Sequence, residues 1–331
     1  MLLKSILSLF LYIFRKITLD YKFLRKKDKL LVLVFHKVSD SKSAYHSPMP
    51  INTYNKICLF IKKHYNVIHF SEVDEYYSSK VYPKAAAIVT FDDGLIDIKD
   101  NVMPFMNKHS IKFNINLDTE ILETNLPQDF LKIYDILNAT KPIKYMDPKY
   151  MVTPILIYKR KPIDVETDFT FILSNLTSNA RREFVQRMAN NLGMHSDYYG
   201  VVSISDLKKW SNNPNIEFGS HTHTHPDLTR ISTDSVTKEL MQSKRILSLN
   251  LDKEIEIIAY PNGQSNASID NLSKEIGYKY LLKSEDTYTS FEDIKKGHFY
   301  RVNQYHPSFE IGIAHTLGLF KLIKKHLYGK V

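Results

Sequence analysis

Short apolar runs alternate with stretches of helical periodicity along most of the chain. Lys29–Phe35 and Ala85–Phe91 are almost wholly apolar and β-branched or small, which predicts strands buried on both faces, as in a parallel sheet. Residues 112–117, 216–219, 256–260, 278–283 and 299–303 predict further strands, and 67–70 a short one. Helices are predicted between them over 51–65, with Tyr54, Ile57, Ile61 and Tyr65 on one face, and over 72–77, 205–210 and 233–249. Two more cover 98–109, started or kinked by Pro104, and 269–276, closed by Gly277. Strand–helix alternation of this kind predicts an α/β architecture with parallel strands. His36, Asp92-Asp93, Ser220-His221 and Tyr260-Pro261 all fall at the C-terminal ends of predicted strands, which share one rim in a barrel or open sheet. From about residue 119 to 200 the alternation stops and prolines recur at 127, 142, 148, 154 and 162. Only 179–192 reads as helix there, with Asn179 as its cap and Gly193 as its stop, so the segment is expected to be an insertion that covers or flanks the rim.

Composition adds bounds to this picture. A chain of 331 residues with 43% hydrophobic and 24% charged positions has material for one large core. The single cysteine, Cys58, excludes an intrachain disulfide and points towards the cytoplasm. The net charge of +9 sits in the tails: eight Lys/Arg less two Asp in residues 1–30, and four Lys less one Glu in 310–331. A neutral body argues against nucleic-acid binding, and basic apolar tails suit an anionic membrane surface. Residues 6–14 are too few to span a bilayer, and Arg15-Lys16 follows where a signal peptide would carry small residues. Residues 1–28 therefore read either as an interfacial helix or as a terminal helix packed on the body. Residues 311–331 read as a basic amphipathic helix, with Ile313, Leu317, Phe320 and Ile323 opposed by Lys321, Lys324 and Lys325, for which core packing is expected.

Two stretches carry chemistry. His221, His223 and His225 alternate directly after a predicted strand, a pattern that packing explains poorly and that suits zinc or a neighbouring divalent metal. His221 and His225 can close on one ion, leaving His223 to project away or to support a ligand. Asp92-Asp93-Gly94 alone is also ordinary turn chemistry. Beside the histidines it supplies what metal-assisted hydrolysis needs: a third ligand, an open position, and a spare carboxylate to take a proton from water.

Thr90-Phe91-Asp92-Asp93-Gly94 together with Ser220-His221-Thr222-His223-Thr224-His225-Pro226 resembles the polysaccharide deacetylase family, carbohydrate esterase family four. Phe35-His36-Lys37-Val38, Ala259-Tyr260-Pro261-Asn262-Gly263 and Tyr300-Arg301-Val302 support the likeness, which runs over residues 31–118 and 201–305. The resemblance implies an irregular (β/α) barrel of about seven parallel strands over residues 29–310, interrupted by the insertion. It implies Asp92 as general base and Asp93, His221 and His225 as ligands of a divalent metal, with zinc leading. It also implies hydrolysis of an acetamide on an amino sugar of a bacterial surface glycan or its lipid-linked precursor. Tyr260, Pro261, Asn262 and Arg301 become substrate-side candidates. The family's arginine before its third motif is missing at Ala259, and Arg301 from the neighbouring strand stands in for it. The family's late Leu-x-His is absent, so His306, His36 and His298 remain open as the acid. The rival readings are a non-catalytic glycan-binding or assembly protein, an O-deacetylase and a cyclic amidase. A cytoplasmic, peripherally membrane-bound protein is expected.

Overall fold

The computed structural model describes residues 29–78, 85–139, 162–174, 176–191 and 199–318. The chain runs β1 (Lys29–Phe35), α1 (Ile51–His64), β2 (Tyr65–Val67), α2 (Val73–Ser78), β3 (Ala85–Phe91), α3 (Met103–Lys108) and β4 (Phe113–Leu117). The insertion then contributes α4 (Glu120–Thr124), α5 (Asp129–Ala139), α6 (Pro162–Ser174) and α7 (Ser178–Asn191). The alternation resumes with α8 (Ile204–Trp210), β5 (Ile216–Ser220), α9 (Thr233–Leu251), β6 (Ile257–Ala259), α10 (Ala267–Glu275) and β7 (Tyr280–Ser284). It ends with β8 (Thr289–Ser290), α11 (Phe291–Lys295), β9 (His298–Asn303) and α12 (Phe309–Thr316).

Seven strands, in the order β1-β3-β4-β5-β6-β7-β9, form a closed parallel barrel, because β1 pairs with both β3 and β9. The expected architecture and strand number therefore hold. Two short strands lie outside the ring: β2 pairs with the first three residues of β3, and β8 runs antiparallel to the start of β1. Both faces of β1, β3, β4 and β6 are buried. On β1, Leu30 and Val32 join one apolar cluster with Ala86, Ile88 and Phe299, while Leu31, Leu33 and Phe35 join another with Val89 and Phe91. This two-sided burial explains the uniformly apolar runs.

Three expectations need correction. The short strand predicted at 67–70 lies at Tyr65–Val67, and Phe70 begins a 3-10 turn. The helix at 179–192 starts at Ser178, and Thr177 caps it in place of Asn179, accepting from the Ala180 N–H at 3.3 Å. The insertion, expected to be mainly helical or irregular with 179–192 its one clear helix, carries four helices among its described residues. Pro162 opens α6, a position where its missing N–H costs nothing. Phe130, Ile133, Leu137, Val165, Phe169, Leu173 and Val185 give α5, α6 and α7 a core of their own.

At the C-terminal end of the barrel, Ile313 and Leu317 are buried in the main core, as expected for packing, and the later residues of that run lie outside the described residues. The N-terminal segment 1–28 does too. The loop after β1 is locked to the segment after β3. The Val38 N–H donates to Asp97 Oδ2 at 2.5 Å, and Asn101 Nδ2 donates to the Val38 carbonyl at 2.8 Å. Burial pushes the Asp97 carboxyl up to about 7, against the pull of the Val38 hydrogen bond and the Lys37 charge. A raised pKa in the fold means stability that is full below about pH 4 and is lost as pH rises through about 7. Asp97→Asn keeps the acceptor for Val38 and removes the buried charge. Its melting temperature is expected to be close to wild type at pH 5 and higher at pH 8.5, by roughly 2–4 kcal/mol of relative stability. Parallel Tm-against-pH curves for the two proteins would contradict this.

Candidate active site

Strand ends deliver the expected side chains to one place. Asp92 and Asp93 follow β3, and His221 follows β5. The β4–β5 register, with Leu117 opposite Ser220, brings their exits level. Gly219 allows this approach, because a Cβ there would stand 2.2 Å from Asn116 Oδ1 and 2.8 Å from Ile257. Gly94 closes the Asp-Asp-Gly turn at φ +61°, where a Cβ would strike Ile121 at 2.5 Å. Asp93 and His225 themselves hold left-handed backbone, at φ 74° and 53°, a strain that a packed site must hold in place.

Asp93, His221 and His225 are buried and offer one ligand atom each, all within 4.8 Å of one another. Asp93 Oδ1 stands 3.6 Å from His221 Nε2 and 3.8 Å from His225 Nε2. Donors around a tetrahedral zinc, at about 2.0–2.1 Å each, stand roughly 3.3 Å apart, so a contraction of a few tenths of an ångström closes the set. The nitrogens are prepared for it. His221 Nδ1–H donates to the Ala259 carbonyl at 2.7 Å, which leaves Nε2 with its lone pair towards Asp93. Burial, helped by the neighbouring His221, pushes His225 down to about 3, so its imidazole is neutral at ordinary pH. His225 packs edge-on against His221, with ring centroids 4.7 Å apart. The donor set thus fits a divalent ion. Among the described residues this is the one such cluster of three or more His, Cys, Asp and Glu groups.

Asp92 faces the same space from the other side, with Oδ2 3.8 Å from His221 Nε2. Arg301 Nη1 lies 2.8 Å from both of its oxygens, and Asn116 Nδ2 donates to Oδ1 at 2.8 Å. Arg301 thus reaches Asp92 from the neighbouring β9. Burial opposes ionisation of Asp92, but the Arg301 guanidinium, with His221 and His36 nearby, outweighs it and holds the carboxyl well below the usual range.

The remaining sequence candidates separate. His36 is half-buried at the end of β1, near both Asp92 and Asp93. His306 packs on Tyr305 and His315, with ring centroids 4.3 and 5.0 Å away. His298, at the opening of β9, pairs with Asp270 at 3.4 Å. Tyr260 is fully buried with its hydroxyl on Ser273 at 3.0 Å, so its ring packs the barrel and is withheld from substrate. Pro261 is also buried, whereas Asn262 lines a cleft. His223 is a structural pin: Gln242 Nε2 lies 2.9 Å from its Nε2, and Thr119 Oγ1 2.9 Å from its Nδ1. Glu239 fixes the same loop through the N–H groups of His223 and Thr224 and the Thr224 hydroxyl.

The insertion supplies residues that sequence reasoning missed. Gln128 donates to Asp93 Oδ1 at 2.6 Å, orienting the oxygen that faces both histidines. Phe130 packs edge-on against His225 at 5.7 Å, and Arg181 donates to the Thr224 carbonyl at 2.6 Å while lying over the Phe130 ring. Asn116 did carry a signal, being a polar residue inside the apolar run Phe113–Leu117. Gln128 carried none. Gln128→Ala is expected to weaken zinc binding by about 10–100-fold with little loss of fold, measured by titration calorimetry; unchanged affinity would leave Gln128 a packing residue.

Residues 168–281 match the sequence model of the polysaccharide deacetylase family. Over those residues by sequence, and over most of its length by fold, the chain is similar to polysaccharide deacetylases. The match takes in His221 and His225 and ends before β9, while Asp92 and Asp93 lie ahead of it. It also begins inside the insertion, which the sequence reading had left outside the likeness. Three solved structures share the fold. PplD, a Streptococcus pyogenes deacetylase in complex with acetate, is 18% identical with a TM-score of 0.55, covering 87% of this chain and 98% of its own. IcaB from Ammonifex degensii is 13% identical with a TM-score of 0.56, covering 88% and 97%. A polysaccharide deacetylase from Bacillus cereus is 15% identical with a TM-score of 0.56, covering 87% and 69%. No curated protein sequence matches the chain.

Proposed function

We propose that the protein is a metal-dependent hydrolase that removes N-acetyl groups from amino sugars of a bacterial surface glycan or its lipid-linked precursor. The observation that carries this reading is the buried Asp93–His221–His225 donor set, with an Arg301-clamped Asp92 directly beside it. A divalent ion, with zinc leading, would be held by those three side chains and would polarise the acetyl carbonyl and lower the pKa of water. Asp92, ionised and held by Arg301 and Asn116, takes the proton of the attacking water at Oδ2. The water oxygen adds to the acetyl carbon, the C–N bond breaks, and the nitrogen leaves with a proton from an acid. His36 is our assignment for that acid, because it follows β1 at the same rim, beside both carboxylates, whereas His306 sits in a cluster with Tyr305, His315 and Asp286. The products are acetate and a free amine.

The basic apolar tails add a peripheral address on the cytoplasmic membrane face to this reading; among the described residues, no helix is long and apolar enough to cross a membrane. The test is acetate release from N-acetylated oligosaccharides, with and without chelator. Release that chelator abolishes and zinc restores is expected. Release that survives full chelation would end the metal assignment, and acetate from O-acetyl but never from N-acetyl sugars would favour the esterase reading.

A further inference from the structure

The two histidines of the donor set are held in different ways. His221 Nδ1 donates to the Ala259 carbonyl, which fixes its ring from behind. His225 Nδ1 is buried and has no hydrogen-bond partner among the described residues. Packing holds that ring instead, with Phe130 edge-on at 5.7 Å and His221 at 4.7 Å. His225 also carries left-handed backbone, at φ 53°, so the course of the chain into it must be enforced by its neighbours.

The enforcing contacts converge on one peptide group. The amide joining Thr224 to His225 donates its N–H to Thr222 Oγ1 at 3.2 Å, and its carbonyl accepts from Arg181 Nη2 at 2.6 Å. Because that amide is planar, bonds at both of its ends fix the direction in which His225 sets out. Arg181 comes from α7 of the insertion and is only 2% exposed. Its guanidinium also lies 5.1 Å over the Phe130 ring and 3.5 Å from Asp129 Oδ2. One planar, permanently charged group thus ties together the histidine loop, the ring that backs His225, and α5. From the barrel side, Glu239 of α9 takes the Thr224 N–H and hydroxyl, so Thr224 is gripped between α9 and α7.

We propose that Arg181 is a positioning residue for His225, so that the insertion as well as the barrel sets the geometry of the metal centre. The inference rests on the metal-dependent reading and deepens it. Its test is titration of the metal-free full chain with zinc, by calorimetry, and with cobalt, whose visible absorption reports the arrangement of the donors. Arg181→Met is expected to weaken zinc binding by about 10–100-fold and to shift the cobalt band at saturation. Asp129 keeps a second cation in that variant, Lys132 at 3.1 Å. Arg181→Lys retains the buried charge but loses the fork; it is expected to fold like wild type and to fall between the two in affinity. Val185→Ala, about one turn along α7, loosens the insertion core without touching the histidine loop, and is expected to leave affinity and band unchanged. Wild-type affinity and band in both Arg181 variants, or an equal loss in Val185→Ala, would overturn the assignment and leave the metal site standing. A wild-type chain that binds neither ion would end it together with the metal reading.

Discussion

Replacing Asp92 with asparagine is expected to lower acetate release by about 10²–10⁴-fold while zinc affinity stays within about tenfold. The two readouts separate because the adjacent aspartates have different neighbours. Asp93 Oδ1 faces His221 Nε2 and His225 Nε2 at 3.6 and 3.8 Å, whereas both oxygens of Asp92 are engaged by Arg301 and only its Oδ2 looks towards His221. Asparagine preserves the shape and an oxygen for Asn116, but offers no site for the water's proton. Asp93→Asn should behave the other way and lose the metal first. Equal loss of metal and turnover in Asp92→Asn would mean that Asp92 is a ligand, and the assigned division of labour would fall.

Much of this arrangement is readable before any coordinates. The strands β1 and β3 lie where their apolar runs place them, since burial on both faces leaves little room for another pattern. The motif residues at strand ends meet because parallel strands in a closed ring end on one rim. The Arg301 contact was also accessible, since Arg301 lies on a strand that neighbours β1.

The insertion was opaque for a physical reason. Helix α5 buries Phe130, Leu131, Ile133, Tyr134, Ile136 and Leu137, more than a single stripe, because it is wedged between its own core and the active site. A helix covered on several faces loses the polar side that makes its period visible. Gln128, just ahead of it in Leu126-Pro127-Gln128-Asp129, has the look of a turn, and its contact with Asp93 spans 35 residues of sequence. The strand at Tyr65–Val67 was misplaced because it pairs only with the first residues of β3, and so its register is set by that partner.

Arg301→Met tests how the base is held, and a loss of about 3–5 kcal/mol is expected. Arg301 is the largest fully buried side chain described, and it lies 2.8 Å from each Asp92 oxygen. Removing it strands a carboxylate in the interior. Burial then dominates and drives the Asp92 carboxyl up, where in the native protein the guanidinium holds it down. A group with a raised pKa gives stability that is lost as pH rises, so the deficit of the variant should grow between pH 5 and 8. The double variant Asp92→Asn/Arg301→Met removes both charges and should cost less than the sum of the single changes, by about 1–3 kcal/mol, while remaining inactive. Chemical denaturation of the four proteins measures this directly. Strictly additive costs, or a deficit that does not depend on pH, would show that the two groups are neighbours without being partners.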